Sequence, residues 1–302
     1  MIGARWWSTL SPLVRAALLM LFGSACVAIQ LSALRIVSAD LHPFEIVLFR
    51  NLVGILLLVP FLGRLGWYTL RTRQAGWLGL SSLSLLASML CFFVAVAEMP
   101  LAELTALGFT KPLFASAGAA LILGEVVRLR RWTAVLVGFA GVLIVVRPGA
   151  ETVSPYAGLM LLSALFAAVV TLIVKRLTAT ESPTTIVLYQ SVFMTLLSVP
   201  LALLYWRTPT LFELPFLVIV GTLGTVSWLC MARAFVLADA SIVVPFEFAR
   251  LPLIAVVAYF LFGEVPTIWT WLGGAVIFSS TVYITHREVR AAAFKRPVAT
   301  TP

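Results

Sequence analysis

The chain has 302 residues, of which 62% are hydrophobic and only 11% charged, and its mean hydropathy is +1.08. Soluble domains run at about 45–50% apolar and about 25% charged, so this composition excludes a water-soluble globule and predicts a lipid-embedded chain. The net charge of +9 and pI near 10.1 do not signal nucleic-acid binding, because the 21 basic residues are scattered between apolar runs rather than gathered in a stripe.

A bilayer-crossing helix needs about 20 mostly apolar residues. In chain order, the runs predict helices near 13–35, 44–63, 75–97, 101–123, 132–147, 156–175, 184–205, 214–237, 241–262 and 267–285. The first run is too long for a signal-peptide core and lacks a small-residue cleavage site, so it is read as a span. Turn punctuation separates the runs: His42-Pro43, Arg147-Pro148-Gly149, Ser154-Pro155, Ser182-Pro183 and Arg207-Thr208-Pro209. Only the tail after Arg287 reads as loose and soluble. Cys26, Cys91 and Cys230 each sit alone in an apolar run, which fits buried small hydrophobes and neither a disulfide framework nor a metal site. No cofactor is expected.

Ten spans put both termini on one side. With that side cytoplasmic, the inner segments hold 14 of the 21 Lys and Arg, the outer loops hold 3 (Arg35, Arg147, Arg207), and 4 lie within spans. The bias predicts cytoplasmic termini in a cell inner membrane.

The chain is also written twice. At a shift of about 140 residues, with slips of one to three, Ser11-Pro12 meets Ser154-Pro155, Pro43 meets Pro183, and Pro60 meets Pro200. Leu90-Cys91 meets Leu229-Cys230, Pro112 meets Pro252, and Gly124-Glu125-Val126 meets Gly263-Glu264-Val265, with Trp132 and Trp271 each seven residues after the glutamate. The boundaries expected are 11–148 and 154–287 for the two repeats and 288–302 for a cytoplasmic tail. Five helices is an odd number, so the halves cross the membrane in opposite senses. Inverted repeats of this kind suit a secondary transporter that exchanges conformations around a central site.

The paired Pro…Gly-Glu motifs at 112–125 and 252–264, the arginine in the second span and the five-plus-five layout resemble the drug/metabolite transporter superfamily, in particular its ten-helix EamA-type members. That resemblance implies a cavity surrounded by helices one to four and six to nine, with helices five and ten peripheral. It also implies small-metabolite substrates, from exported amino acids, aromatic ones among them, to S-adenosylmethionine-like molecules taken up.

Charges at bilayer depth cost at least ~2.5 kcal/mol and mark cavities or partners. Lys111 lies mid-span beside Pro112, which frees a backbone carbonyl, and a cation there suits a carboxylate or phosphate. Arg250 holds nearly the equivalent place before Pro252, with Glu247 one turn earlier on the same face. That pair either neutralises itself or grips opposite ends of a zwitterion. Arg50 has Glu45 five residues before it and either snorkels or meets substrate, while Arg233 is placed to snorkel. Trp228 and Tyr189 are mid-span aromatics with polar handles, and Gln30 and Gln190 are mid-span polar groups needing partners, Gln190 at the repeat equivalent of Arg50. Glu125 and Glu264 read as packing and capping residues. Ala134 and Gly138, with Gly273-Gly274, fit small-residue packing of helices five and ten.

No metalloprotease helix, paired aspartate motif or nucleotide-phosphate loop is present in the sequence, which argues against an enzyme, and no charged ring or filter repeat suggests a channel. The expected function is therefore alternating-access export of amino acids, with uptake or exchange of a larger S-adenosylmethionine-like metabolite, or efflux of drug-like cations, as the alternative. The expected partners are a small-molecule substrate and lipid, with no nucleic acid, in a monomer or homodimer. Proton coupling at Glu247 and simple uniport both fit.

Overall fold

The computed structural model describes residues 10–65, 72, 74–122, 129–147, 154–177, 180–181, 183–237 and 244–294. These fold as α1 (Pro12–Ser38), α2 (Pro43–Leu65), α3 (Ala75–Glu98), α4 (Leu101–Gly108), α5 (Lys111–Ile122), α6 (Leu129–Val146), α7 (Pro155–Leu177), α8 (Pro183–Leu204) and α9 (Glu213–Leu237), then a 3-10 segment (Val244–Ala249) continuing as α10 (Arg250–Phe262), and α11 (Ile268–Phe294). Among the described residues there is no strand. Taking α4 with α5 and the 3-10 segment with α10, the chain makes ten helical spans. Pro12–Ser38, Ala75–Glu98, Pro155–Val174 and Glu213–Met231 are each long and apolar enough to cross a bilayer as single rods.

The predicted punctuation works as chemistry. Ser11 caps α1 by accepting the Val14 N–H at 3.4 Å, and Pro12 at the first helical position has no N–H to leave unpaired. Pro43, Pro155 and Pro183 open α2, α7 and α8 in the same way. At the other extreme, α10 ends on Gly263 with φ 67°, a left-handed conformation cheap only for glycine. There the Gly263 N–H donates to the Tyr259 carbonyl at 3.0 Å and the Glu264 N–H to the Ala258 carbonyl at 3.3 Å, which closes the helix and aims Glu264 away from its axis.

Three features differ from the sequence expectation. The fourth span is not one helix: α4 stops at Gly108 and α5 starts at Lys111, because Pro112 has no N–H and its ring would strike the Gly108 carbonyl. At the break the Leu107 carbonyl accepts both the Thr110 N–H at 3.0 Å and the Thr110 hydroxyl at 2.7 Å. The ninth span is broken at the matching place, where the 3-10 turns give way to α10 two residues before Pro252. Finally, α11 continues to Phe294, so residues 288–294 are helix rather than loose tail; Ala291-Ala292-Ala293 supplies the propensity. Residues 295–302 lie outside the described residues, as do Gly124 and Glu125.

The halves interlock. Span one packs on span eight as span three packs on span six, span two on span eight as span three on span seven, and span four on span six as span nine on span one, while spans two and seven pack on each other. Each of these relations is preserved when the halves are exchanged, as an inverted repeat requires. Spans five and ten pair with each other. Their crossing uses Gly141 rather than Ala134 or Gly138: a Cβ on Gly273 would lie 2.7 Å from the Gly141 carbonyl and 2.5 Å from Val145 Cγ2. Gly138 instead makes room for Leu113, whose Cδ1 would be 2.5 Å from an added Cβ. The buried core runs through spans one to four, where Leu34, Ile46, Leu101, Leu104 and Leu107 are at most 1% exposed, and continues into span nine at Leu251 and Ile254.

Candidate functional site

The two broken spans meet where the sequence places its intramembrane charges. Lys111 is the first residue of α5 and Arg250 the first of α10, and Glu247 lies in the 3-10 turns just before. The charge of Lys111 interacts favourably with Glu247 and unfavourably with Arg250, so the three form one group. Lys111 is exposed by surface area. Glu247 and Arg250 are both half-buried. Among the described residues no ion pair joins Glu247 to Arg250 or to Lys111, and the Arg250 Nε is buried without a hydrogen-bond partner. The self-neutralising pair allowed by the i, i+3 spacing is therefore not formed. Two cations and one carboxylate are left with donor and acceptor capacity to spare.

The other candidates divide. Gln190 donates to Ser81 Oγ at 2.6 Å, joining spans seven and three. Gln30 is buried against Gly224, where a Cβ would come within 2.9 Å of its Nε2. Tyr189 stacks beside Phe193, ring centroids 6.0 Å apart, on the satellite core of Leu78, Ile173, Leu177 and Ile186. Trp228 is 48% exposed on α9. Arg233 is exposed four residues before the end of α9, as a snorkelling side chain would be. Arg50 makes a single contact among the described residues, from Nη1 to the Met89 sulfur at 3.2 Å. Glu45 does not reach it; its carboxylate instead accepts the backbone N–H groups of His42 (3.2 Å) and Arg207 (2.6 Å) at the end of the bundle.

Sequence reasoning missed the partner of Glu264. Its carboxylate pairs with Arg35 of span one and accepts the Leu101 N–H that begins span four, at 2.8 Å. Arg35 also donates to the Met99 carbonyl at 3.0 Å and lies 5.1 Å over the Phe262 ring. Glu264 thus caps a helix, but one belonging to the other half, and with Arg35 it clasps spans one, four and nine at one end. The signal was in the sequence as Gly-Glu: the glycine turns the chain out of its helix and the next side chain reaches across. Nearby, Arg207 ties span eight's Glu213 (3.2 Å) to Asp40 (3.6 Å). At the opposite end Thr72 donates to Glu181 at 2.6 Å and Gln74 to Thr180 at 3.0 Å.

Ten spans in two interlocked halves, both broken at matching depth around unpaired charges, define a membrane transporter of the inverted-repeat class. The sequence profile of the EamA-like transporter family matches residues 14–147 and again 154–286. The chain belongs to that family, within the drug/metabolite transporter superfamily, and is a metabolite transporter. It is 32% identical to the S-adenosylmethionine uptake transporter of Rickettsia bellii over 83% of this chain and 86% of that protein. It is 33% identical to the riboflavin transporter of Vibrio cholerae over 95% and 98% of the two chains. The pseudopaline exporter CntI of Pseudomonas aeruginosa is 28% identical over 92% and 99%. A solved crystal structure superposes with a TM-score of 0.60 at 18% identity, covering 92% of this chain and 99% of the other, which bears on fold alone.

Proposed function

We propose that the chain takes up a zwitterionic metabolite of the S-adenosylmethionine kind across a cell inner membrane, by alternating access, with both termini cytoplasmic. The observation that carries this reading is the group formed by Lys111, Arg250 and Glu247 at the breaks in spans four and nine. Two cations match a carboxylate and one carboxylate matches an ammonium, so an α-amino-acid head group finds a partner for each of its charges. The Rickettsia relative named for S-adenosylmethionine uptake supports a substrate of that size over a free amino acid, whose export was the expectation from sequence. Alternating access follows from the exchange-symmetric packing of the halves, and the orientation from the 14-to-3 distribution of basic residues between inner segments and outer loops.

The test is counterflow in proteoliposomes with labelled S-adenosylmethionine, riboflavin and an aromatic amino acid. Saturable S-adenosylmethionine exchange is expected, abolished in Lys111→Ala while the detergent-purified variant stays monodisperse. Transport of the amino acid alone would return the reading to export. Riboflavin is the second reading, favoured by the Vibrio relative that matches 95% of this chain. Riboflavin carries no charge near neutral pH, so its transport would survive Glu247→Gln, whereas transport of a zwitterion would not.

A further inference from the structure

We infer that Arg50 is a second recognition point of the transport site, one that takes a carboxylate or phosphate of the transported molecule and sets selectivity for acid-bearing substrates. The inference adds to the proposed function the residue that selects the acidic group, and it rests on a different observation: a broken symmetry between the halves.

Arg50 lies roughly 10 Å into span two at 1.5 Å per residue from Pro43. A guanidinium carries five N–H donors and no acceptor. Here the single contact among the described residues is a thioether sulfur, itself a weak acceptor. No carboxylate among the described residues interacts with it. A cation within a span is costly unless it meets a partner or a cavity, and the contacts of Arg50 show no structural return for that cost.

The other half shows what a structural solution looks like. Gln190 is the repeat equivalent of Arg50, in register with the Pro43/Pro183 and Pro60/Pro200 landmarks that flank it. It is satisfied by Ser81 of the adjoining span at 2.6 Å. The counterpart of Ser81, at a shift of 139 or 140, is Val220 or Gly221, and neither offers a side-chain acceptor. At that point span eight presses on span two instead: a Cβ on Gly221 would lie 3.2 Å from the Arg50 carbonyl and 2.5 Å from Val53 Cβ. The backbone of Arg50 is therefore held firmly while its guanidinium keeps only a thioether as hydrogen-bond partner among the described residues. A neutral amide with its own partner occupies one half, and a fixed backbone bearing an unpaired fork occupies the other. A planar fork of donors matches the two oxygens of a carboxylate or phosphate bidentately, which a lysine there would not.

The experiment measures ligand-induced thermal stabilisation of the purified full chain, as wild type, Arg50→Lys and Arg50→Met. The probes are citrate and inorganic phosphate, together with two matched pairs: S-adenosylmethionine with its decarboxylated analogue, and riboflavin with riboflavin 5′-phosphate. The wild type is expected to bind citrate or phosphate, and to prefer the acid-bearing member of whichever pair it accepts. Arg50→Met should melt no lower than wild type without ligand, weaken the oxyanion at least tenfold and bring the pair ratio near one, leaving the acid-free member unchanged. Arg50→Lys should recover part of the loss. Equal weakening of both members of a pair, a lower melting temperature with unchanged oxyanion binding, or a wild type that binds no oxyanion would each overturn the inference. A wild type that binds oxyanions through Arg50 but neither S-adenosylmethionine nor riboflavin would overturn the proposed substrates and leave Arg50 standing.

Discussion

Glu264→Ala removes the acceptor shared by the Arg35 guanidinium and the Leu101 N–H. Breaking a buried ion pair from one side costs about 3–5 kcal/mol. The two side chains keep 22% and 15% of their accessible surface, so water recovers part of this, and about 2–3 kcal/mol remains. The orphaned Leu101 N–H adds about 1 kcal/mol. Arg35→Met is milder, at about 2 kcal/mol, because Glu264 keeps the Leu101 N–H. The double variant Arg35→Met, Glu264→Ala leaves no lone charge and should lose only about 1–2 kcal/mol for the Leu101 N–H and Met99 carbonyl. The cycle therefore predicts a coupling of about 4 kcal/mol and a double variant that melts above Glu264→Ala. Melting by intrinsic fluorescence of the purified protein reads all four forms. Additive losses, with the double variant melting lowest, would refute the clasp as a single unit.

Two further outcomes follow from packing and topology. Gly273→Ala should destabilise by about 1–3 kcal/mol, since its Cβ would meet the Gly141 carbonyl at 2.7 Å, whereas Gly79→Ala, with nothing within 4 Å, should be neutral or stabilising by up to ~1 kcal/mol. Melting temperatures of the two variants check this; equal effects would sink the close crossing of spans five and ten. A phosphatase reporter that is active only outside the cytoplasm should be inactive when fused after Arg73 and at the C-terminus, and activity at either fusion would contradict the orientation taken from the basic residues.

Most of the fold is legible because its signals are local. Apolar run length, prolines at helix starts and glycines at helix ends act within one turn, and the internal repeat fixes the count of spans. The breaks were half legible: Pro112 and Pro252 announce them, but a proline tells where a hydrogen bond is lost and not whether the helix kinks or restarts. Lys111, Arg250 and Glu247 could be grouped from sequence because the repeat places spans four and nine in equivalent positions, and the structure brings their charges within range of one another. Arg35 was opaque for the opposite reason. Its partner Glu264 is 229 residues away in the other half, and nothing in the charge pattern distinguishes a loop arginine from one that closes an interface.

The repeat bears on where the proposed specificity would reside. The backbone of the two halves is interchangeable in its packing, as two conformations related by exchange of the halves require. The charges are not interchangeable. Leu90-Cys91 and Gly124-Glu125 are shifted by 139 and Pro112 between them by 140, which sets Lys111 against Arg250 to within one residue and Glu247 against Gly108 or Leu107. The site thus has a cation from each half but a carboxylate from only one, just as Arg50 stands against Gln190. A substrate that is itself asymmetric, with acid and amine at different ends, can be held in one orientation only if the symmetry of the scaffold is broken at the side chains that touch it. In the proposed reading those side chains are Lys111, Arg250, Glu247 and Arg50, positions where the two halves differ in charge or in side-chain type, while the prolines at 43/183, 60/200 and 112/252 that open or break the spans remain matched.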